Sequence, residues 1–383
     1  MSSATTGPVG PPIGRIIVRS VNWLGDAVMT TPALLRLREA LPGVEIHLLS
    51  PQKLAALWLA HPAVDHVVAF GPGEGAWQLS RRIRREKAQV SLILPNSFRS
   101  ALEPWLARVP RRVGIATPGR RWWLTEAVTP DPKAVPMRKR SPEEIRAGLQ
   151  ETRTVPSVPS PESHHIRHYL RLVGALGADP TPVNPVLRVT EDERTAMRST
   201  LMAALPPGAR DQADSGWIGI NPGAEYGPAK RWPAENFGRL LQDLRARGCR
   251  LPVVVFGGRA DVETARVVAS HGSGNVVNLA GRTGLRELMA AITSLRVLVT
   301  NDTGPMHVAA ALGVPVVVPF GSTSPELTGP GLPGDPRHRL LRAGVPCAPC
   351  FLRQCPIDLR CLTRISPDQV TDAVMSVLAS TAP

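Results

Sequence analysis

Residues 15–41 read RIIVRSVNWLGDAVMTTPALLRLREAL. Ile16-Ile17-Val18 is an apolar run too brief for a helix. A loop holding Gly25 follows it, and then apolar residues recur at helical spacing through Leu41, which spells strand, turn and helix. The same phrase repeats downstream. Strand candidates at Glu45–Leu49, His66–Phe70, Val90–Leu94 and Arg112–Ile115 alternate with helical stretches near Gln52–Leu59, Trp77–Lys87 and Ser97–Arg108. Such alternation builds βαβ units around a parallel sheet, so the fold class is α/β. A second alternation places strands at Trp217–Ile220, Leu251–Phe256, Val276–Leu279, Val297–Thr300 and Val314–Pro319. Its helices fall near Ala234–Arg247, Ala260–His271, Gly284–Thr293 and Pro305–Leu312, and a final helix runs from Ser366 to Ala379 with Ser366 as its cap.

A length of 383 residues fits two such domains. Residues 1–12, small and Pro-rich, read as a disordered lead-in. The first domain spans 13–165 and ends in a Pro/Ser-rich linker beginning near residue 128, of which VPSVPSPES at Val155–Ser163 is the clearest part. The second spans 166–383, with Pro206–Gly216 read as a surface insertion ahead of its first strand. Two similar α/β domains enclose a cleft, and ligands of such sheets bind beyond the carboxyl ends of the strands. The loops that follow strands therefore carry the function.

With 43% hydrophobic and 20% charged residues the composition is that of a packed globular protein. The longest apolar stretch, His307–Phe320, is broken by Gly313 and Pro315 and is too short to span a bilayer. The first residues lack the basic and apolar regions of a secretory signal, so a cytoplasmic location is expected. The net charge is +14, and ten of those charges fall in residues 1–185. A field of that sign draws phosphates, nucleic acid or an anionic membrane surface. Arg81-Arg82-Ile83-Arg84-Arg85 and Arg138-Lys139-Arg140 read equally as solvated faces or as functional patches. A nucleic-acid binder would interleave stacking aromatics with its basic residues, and aromatics make up only 4% of this chain, which argues against that partner.

Three loops after strands hold chemistry-bearing residues. Asn22-Trp23-Leu24-Gly25-Asp26 puts a carboxylate at the start of a helix, where it serves as a general base or as a helix cap. No GxGxxG follows this strand, which argues against a dinucleotide turn. Residues 221–233, NPGAEYGPAKRWP, combine glycines with Lys230 and Arg231, as a phosphate-holding loop does, or an irregular surface loop. Residues 300–307, TNDTGPMH, end a strand and open a helix whose positive end suits a diphosphate; the alternative is a capping sequence with a half-buried His307.

Taken together, Asn22–Asp26, Pro222–Pro233 and Asn301–Leu312 closely resemble the bacterial ADP-heptose:lipopolysaccharide heptosyltransferases, glycosyltransferase family nine, and most of all their heptosyltransferase II branch. The resemblance runs from about Arg15 to the C-terminal helix and takes in Leu94–Ser100 and Gly321–Pro325. It implies a GT-B fold, two Rossmann-like domains facing each other across a cleft, the first for acceptor and the second for nucleotide sugar. Asp26 then matches the catalytic base, with Gly25 beside it in the substrate-binding loop. Lys230 matches the residue that meets the donor diphosphate. Asp302, Thr303, Gly304 and His307 match the donor-binding loop, Glu225 and Tyr226 the donor pocket, and Thr283 the neighbourhood of the nucleoside. The implied substrates are ADP-heptose and the heptosyl-Kdo-lipid A inner core, or Kdo-lipid A if the chain belongs to the heptosyltransferase I branch. Peripheral contact with the inner membrane is implied, and no cofactor. The sequence has no Asp-x-Asp, so Lys230 and the helix after Gly304, rather than a metal, are expected to neutralise the departing ADP.

Cys347, Cys350, Cys355 and Cys361 form C-x2-C-x4-C-x5-C. Four thiolates can enclose a structural zinc, although the usual long gap between ligand pairs is missing, and free thiols are the alternative. Cys249 reads as a buried, inert thiol.

Overall fold

The computed structural model describes residues 13–150, 158–272 and 274–380. The expected disordered lead-in and part of the Pro/Ser stretch lie outside them. The chain forms two six-stranded sheets whose strands all pair in parallel. The first holds β1 (Arg15–Arg19), β2 (Glu45–Pro51), β3 (His66–Phe70), β4 (Val90–Ile93), β5 (Arg111–Ile115) and β6 (Glu126–Val128) in the order β3-β2-β1-β4-β5-β6. The second holds β7 (Trp217–Asn221), β8 (Val253–Val255), β9 (Val276–Asn278), β10 (Leu295–Thr300), β11 (Val316–Phe320) and β12 (Arg339–Arg342) in the order β12-β11-β10-β7-β8-β9. Counted from its own first strand, each sheet has the doubly wound order 3-2-1-4-5-6. Each therefore reverses direction once, between β1 and β4 and between β7 and β10, and the crevice at that reversal opens at the strands' carboxyl ends.

The last strand of each sheet, β6 and β12, was not among the expected strands. Both are edge strands, three and four residues long and mostly half-buried, so they lack the continuous apolar run of a strand covered on both faces. The single helix expected up to Leu41 is two helices, Leu24–Met29 and Thr31–Ala40. Pro32 lacks an N–H there, and the Thr30 and Thr31 hydroxyls donate to the carbonyls of Ala27 and Val28 at 2.6 and 2.8 Å, which ends the first helix.

The stretch expected to be a linker is partly folded. The helix Pro142–Gln150 buries Ile145 in the second sheet's core, while the Arg140 amide and guanidinium donate to the carbonyls of Cys350 and Pro346 at 3.0 and 2.9 Å. The helix Ile166–Gly174 begins after the expected boundary yet packs on Thr31–Ala40 of the first sheet, burying Tyr169, Leu170, Leu172 and Val173. Pro206–Gly216 is likewise more than surface: it contains a short helix and buries Ala209 and Ala213. Among the described residues no helix is long and apolar enough to cross a membrane.

The halves meet where two helices begin. Leu24–Met29, after β1, packs on Gly304–Ala311, after β10, and one apolar cluster runs through both halves. A Cβ on Gly25 would lie 2.7 Å from the His307 ring, and one on Gly304 would lie 2.7 Å from the Leu24 side chain. Gly25→Ala is therefore expected to destabilise the protein by about 1–3 kcal/mol through overpacking. Gly43→Ala, with open space around it, is expected to be nearly neutral. Equilibrium denaturant unfolding of the two variants checks this, and equal midpoints would show that the helix starts are not tightly packed.

Candidate active site

The carboxyl ends of β1, β7 and β10 bring three loops to one cleft of about 350 Å³. Of the residues singled out in the sequence, Gly25, Asp26, Glu225, Tyr226, Lys230, Asp302, Thr303, Gly304 and His307 all line it. Thr283 does not: it stands half-buried on the loop after β9, along the same carboxyl edge.

The second-domain loops are sewn together by two buried asparagines. Asn301 accepts from the Trp232 amide at 2.9 Å and donates to the Pro222 carbonyl at 2.7 Å, and Asn221 donates to the Thr300 hydroxyl at 3.0 Å. Trp232 is anchored in turn through its indole N–H, which donates to the Ile365 carbonyl at 2.9 Å. This locks the ends of β7 and β10 in register, so that Lys230 Nζ donates to Asp302 Oδ2 at 2.6 Å, and the Thr323 hydroxyl donates to the same oxygen. Lys230 also lies 5.0 Å above the Tyr226 ring, whose other cation is Arg353 at 5.2 Å. Tyr226 is fixed by donating to the Phe351 carbonyl at 2.8 Å. Gly227 has φ +151°, and a Cβ there would lie 2.6 Å from the Arg353 carbonyl, so the loop turns tightly against that segment.

Asp26 sits in the first turn of Leu24–Met29 and is not its cap; the cap position is Trp23, which makes no side-chain cap bond. The capping alternative thus has no geometric basis. Burial pushes the Asp26 carboxyl above its ordinary pKa; nearby His165 and Lys230 pull it back, while Asp302 raises it further. His165 is pushed down by burial and raised by Asp26. His307, buried against Gly25, is pushed down to about 4 and is neutral at physiological pH.

The helix Gly304–Ala311 opens on the cleft with no side-chain cap at Thr303, leaving its first amides and positive end for an anion. The arrangement pairs a desolvated carboxylate on one wall with a cation and a helix N-terminus on the other. That serves a reaction in which a hydroxyl loses a proton while an anionic group departs.

Sequence reasoning quoted Thr323 only within Gly321–Pro325 and gave it no role, and it missed Met137, Lys139, Thr328, Phe351 and Arg353, which also line the cleft. The only signal for Lys139 was the basic run Arg138–Arg140. Phe351 and Arg353 lie among the cysteines, far in sequence from the three loops.

The model of glycosyltransferase family 9 (heptosyltransferase) matches residues 76–360. Lipopolysaccharide heptosyltransferase 2 of Salmonella typhimurium is 30% identical over 326 residues, covering 82% of this chain and 85% of that protein. Lipopolysaccharide heptosyltransferase 1 of Pseudomonas aeruginosa is 26% identical over 395 residues, covering 95% and 98%. The solved structure of E. coli ADP-heptose lps heptosyltransferase II superposes with a TM-score of 0.74 at 26% identity, covering 96% of this chain and 99% of that one.

A carboxyl whose pKa is raised by folding favours the folded state when protonated. That contribution is lost as pH rises from the unfolded value, near 3.8, through the folded one. At neutral pH Asp26→Asn removes a desolvated charge and is expected to raise the melting temperature, the two proteins converging at acid pH. A lower melting temperature for Asp26→Asn at neutral pH would mean that the carboxylate supports the fold.

Proposed function

This chain belongs to glycosyltransferase family 9, the heptosyltransferase family, and we propose that it transfers L-glycero-D-manno-heptose from ADP-heptose to the first heptose of the lipopolysaccharide inner core. The observation that carries the reading is the Asp26 carboxylate on one wall of the cleft with the Lys230–Asp302 pair on the other. In this mechanism the acceptor hydroxyl oxygen attacks the anomeric carbon from the Asp26 side and its proton passes to the carboxylate. The bond from that carbon to the ADP diphosphate breaks, and configuration inverts. Lys230, Arg353, Lys139 and the amides at Gly304 receive the charge of the leaving group. Asp302 holds Lys230 in place. Glu225 and Tyr226 line the donor side, and Thr283 belongs to the nucleoside end.

The choice of the first inner-core heptose rather than Kdo as acceptor is supported by an identity difference and by a sequence resemblance. Identity is higher to heptosyltransferase 2 than to heptosyltransferase 1. The stretch Ala224–Pro233 also resembles the heptosyltransferase II branch. Turnover of ADP-heptose with acceptors bearing Kdo alone or Kdo plus one heptose tests it: product is expected only from the second, and product only from the first assigns the chain to the heptosyltransferase I reaction. Asp26→Asn is expected to lower turnover about 100-fold to 10,000-fold, with ADP affinity nearly unchanged. Near-normal turnover of that variant would remove Asp26 from the mechanism.

An acceptor embedded in lipid calls for contact with the cytoplasmic face of the inner membrane. The first domain exposes Phe98, Trp105 and Trp122, the last 86% exposed, with Trp123 packed 4.5 Å from Trp105 and 5.6 Å from Phe98. Arg121 and Arg108 are exposed nearby in sequence. Amphipathic rings beside cations suit a lipid headgroup region. By contrast, Arg82 pairs with Glu74, and Arg84 donates to the carbonyls of Leu106 and Ala107, so the run Arg81–Arg85 is partly engaged within the protein. Arg121→Gln is expected to weaken binding to vesicles containing anionic phospholipid by about 1 kcal/mol, roughly fivefold. Trp122→Ser should weaken it at any salt concentration. Sedimentation with vesicles reads both, and unchanged partitioning would leave this face a solvated one.

A further inference from the structure

Among the described residues the four cysteines after β12 are free, and no three side chains that could ligate a metal stand together. The feature that neither the fold nor the chemistry above accounts for is Trp23. Trp58 and Trp232 serve the fold: each is 1% exposed, and their indole N–H groups donate to the Ser50 hydroxyl at 3.2 Å and the Ile365 carbonyl at 2.9 Å. Trp23 is 42% exposed and takes no part in the apolar cluster that runs through both halves. It holds the cap position of the helix Leu24–Met29, where Ser, Thr, Asp or Asn would accept from a free amide, and it makes no cap bond. Instead it lines the cleft. Asp26 is the third residue of that helix, and the side chains at a cap and at the third position lie on one side of a helix start. Both therefore meet the ligand from the same wall.

We propose that Trp23 is the platform on which the acceptor's sugar ring stacks, a role that rests on the heptosyl transfer proposed above. One face of a pyranose carries mainly C–H bonds, whose positive ends suit the negative face of an indole. A general base must come within about 3 Å of the proton it removes, so the acceptor ring lies at the Asp26 wall. The departing diphosphate belongs to the opposite wall, with Lys230 and Gly304, which leaves Trp23 to the acceptor and not to the nucleotide. Polar groups stand beside the ring as well. Lys53 Nζ lies over it, 5.3 Å from the centroid, and donates to Glu225 Oε1 of the second half at 3.4 Å, both side chains being exposed. An aromatic ring with a few hydrogen-bonding side chains around it is what a ring-shaped ligand bearing hydroxyls at its edge requires.

The test is steady-state kinetics with saturating ADP-heptose and a deacylated heptosyl-Kdo acceptor, so that contact with lipid does not enter. Trp23→Ser puts a favoured cap residue at the helix start and should fold like the wild type. Its acceptor KM is expected to rise about tenfold to hundredfold, with kcat and ADP affinity little changed, because stacking holds ground state and transition state alike. Trp23→Phe keeps a ring and should recover most of the loss. Trp77→Ser, at a residue 57% exposed and outside the cleft, should change none of these constants. If Trp23→Ser fails to fold, Trp23→Leu, which keeps apolar bulk without a ring, is read in the same way. An unchanged acceptor KM in a folded variant overturns the proposal, and so does a loss of ADP affinity in its place, or a loss in Trp23→Phe as large as in Trp23→Ser. A wild type that turns over no such acceptor removes the transfer itself and this role with it, whereas turnover with an unaltered KM removes the role of Trp23 alone.

Discussion

The architecture depends on one close contact, the packing of the helix that begins at Leu24 against the helix that begins at Gly304. Neither start can carry a larger residue at its contact point, because His307 fills the space over Gly25 and Leu24 the space over Gly304. The contact fixes the distance between the carboxyl ends of β1 and β10. These are the strands from which each doubly wound sheet presents its ligand-binding crevice. Two sheets of the same winding thus face each other at their reversal points, and the cleft between them is a consequence of that contact.

Electrostatics follows from the same geometry. The cleft is closed enough that burial dominates the Asp26 carboxyl and leaves it a stronger base than a surface aspartate, while nearby His165 and Lys230 pull its pKa part of the way back. Lys230 is held between Asp302 and the Tyr226 ring, so its cation is oriented before any anion arrives. In the proposed mechanism this preorganisation is what lowers the barrier, since the dipoles need not reorganise as charge moves from the acceptor oxygen to the departing diphosphate. By contrast, the Lys53–Glu225 pair at 3.4 Å is exposed on both sides and contributes little.

The sequence was most legible where local rules sufficed. The central strands are buried on both faces and read as short apolar runs, and the three loops carry glycine, proline and charged residues at spacings set by backbone turns. What escaped was decided by tertiary contact. The edge strands β6 and β12 are strands because a neighbour pairs with them. Pro142–Gln150 sits in a stretch of linker composition but docks through Ile145 and Arg140. Lys139, Phe351 and Arg353 reach the cleft from a basic run and from a cysteine-bearing segment whose own patterns do not point to this cleft. The break at Thr30 reflects competition between hydroxyls and backbone amides that apolar periodicity does not register.

Asp26 and Lys230, from opposite halves of the chain, face one another across the cleft, and the pH dependence of turnover with the proposed donor, ADP-heptose, at saturation measures their interaction directly. In the wild type the acid limb should fall above the ordinary carboxylate range, because burial raises Asp26. Lys230→Gln removes a neighbouring positive charge that lowers the Asp26 pKa, so in the residual activity of that variant the limb should move to still higher pH. An acid limb at the ordinary carboxylate value, or one that Lys230→Gln leaves in place, would mean that the two groups do not act on one another across the cleft.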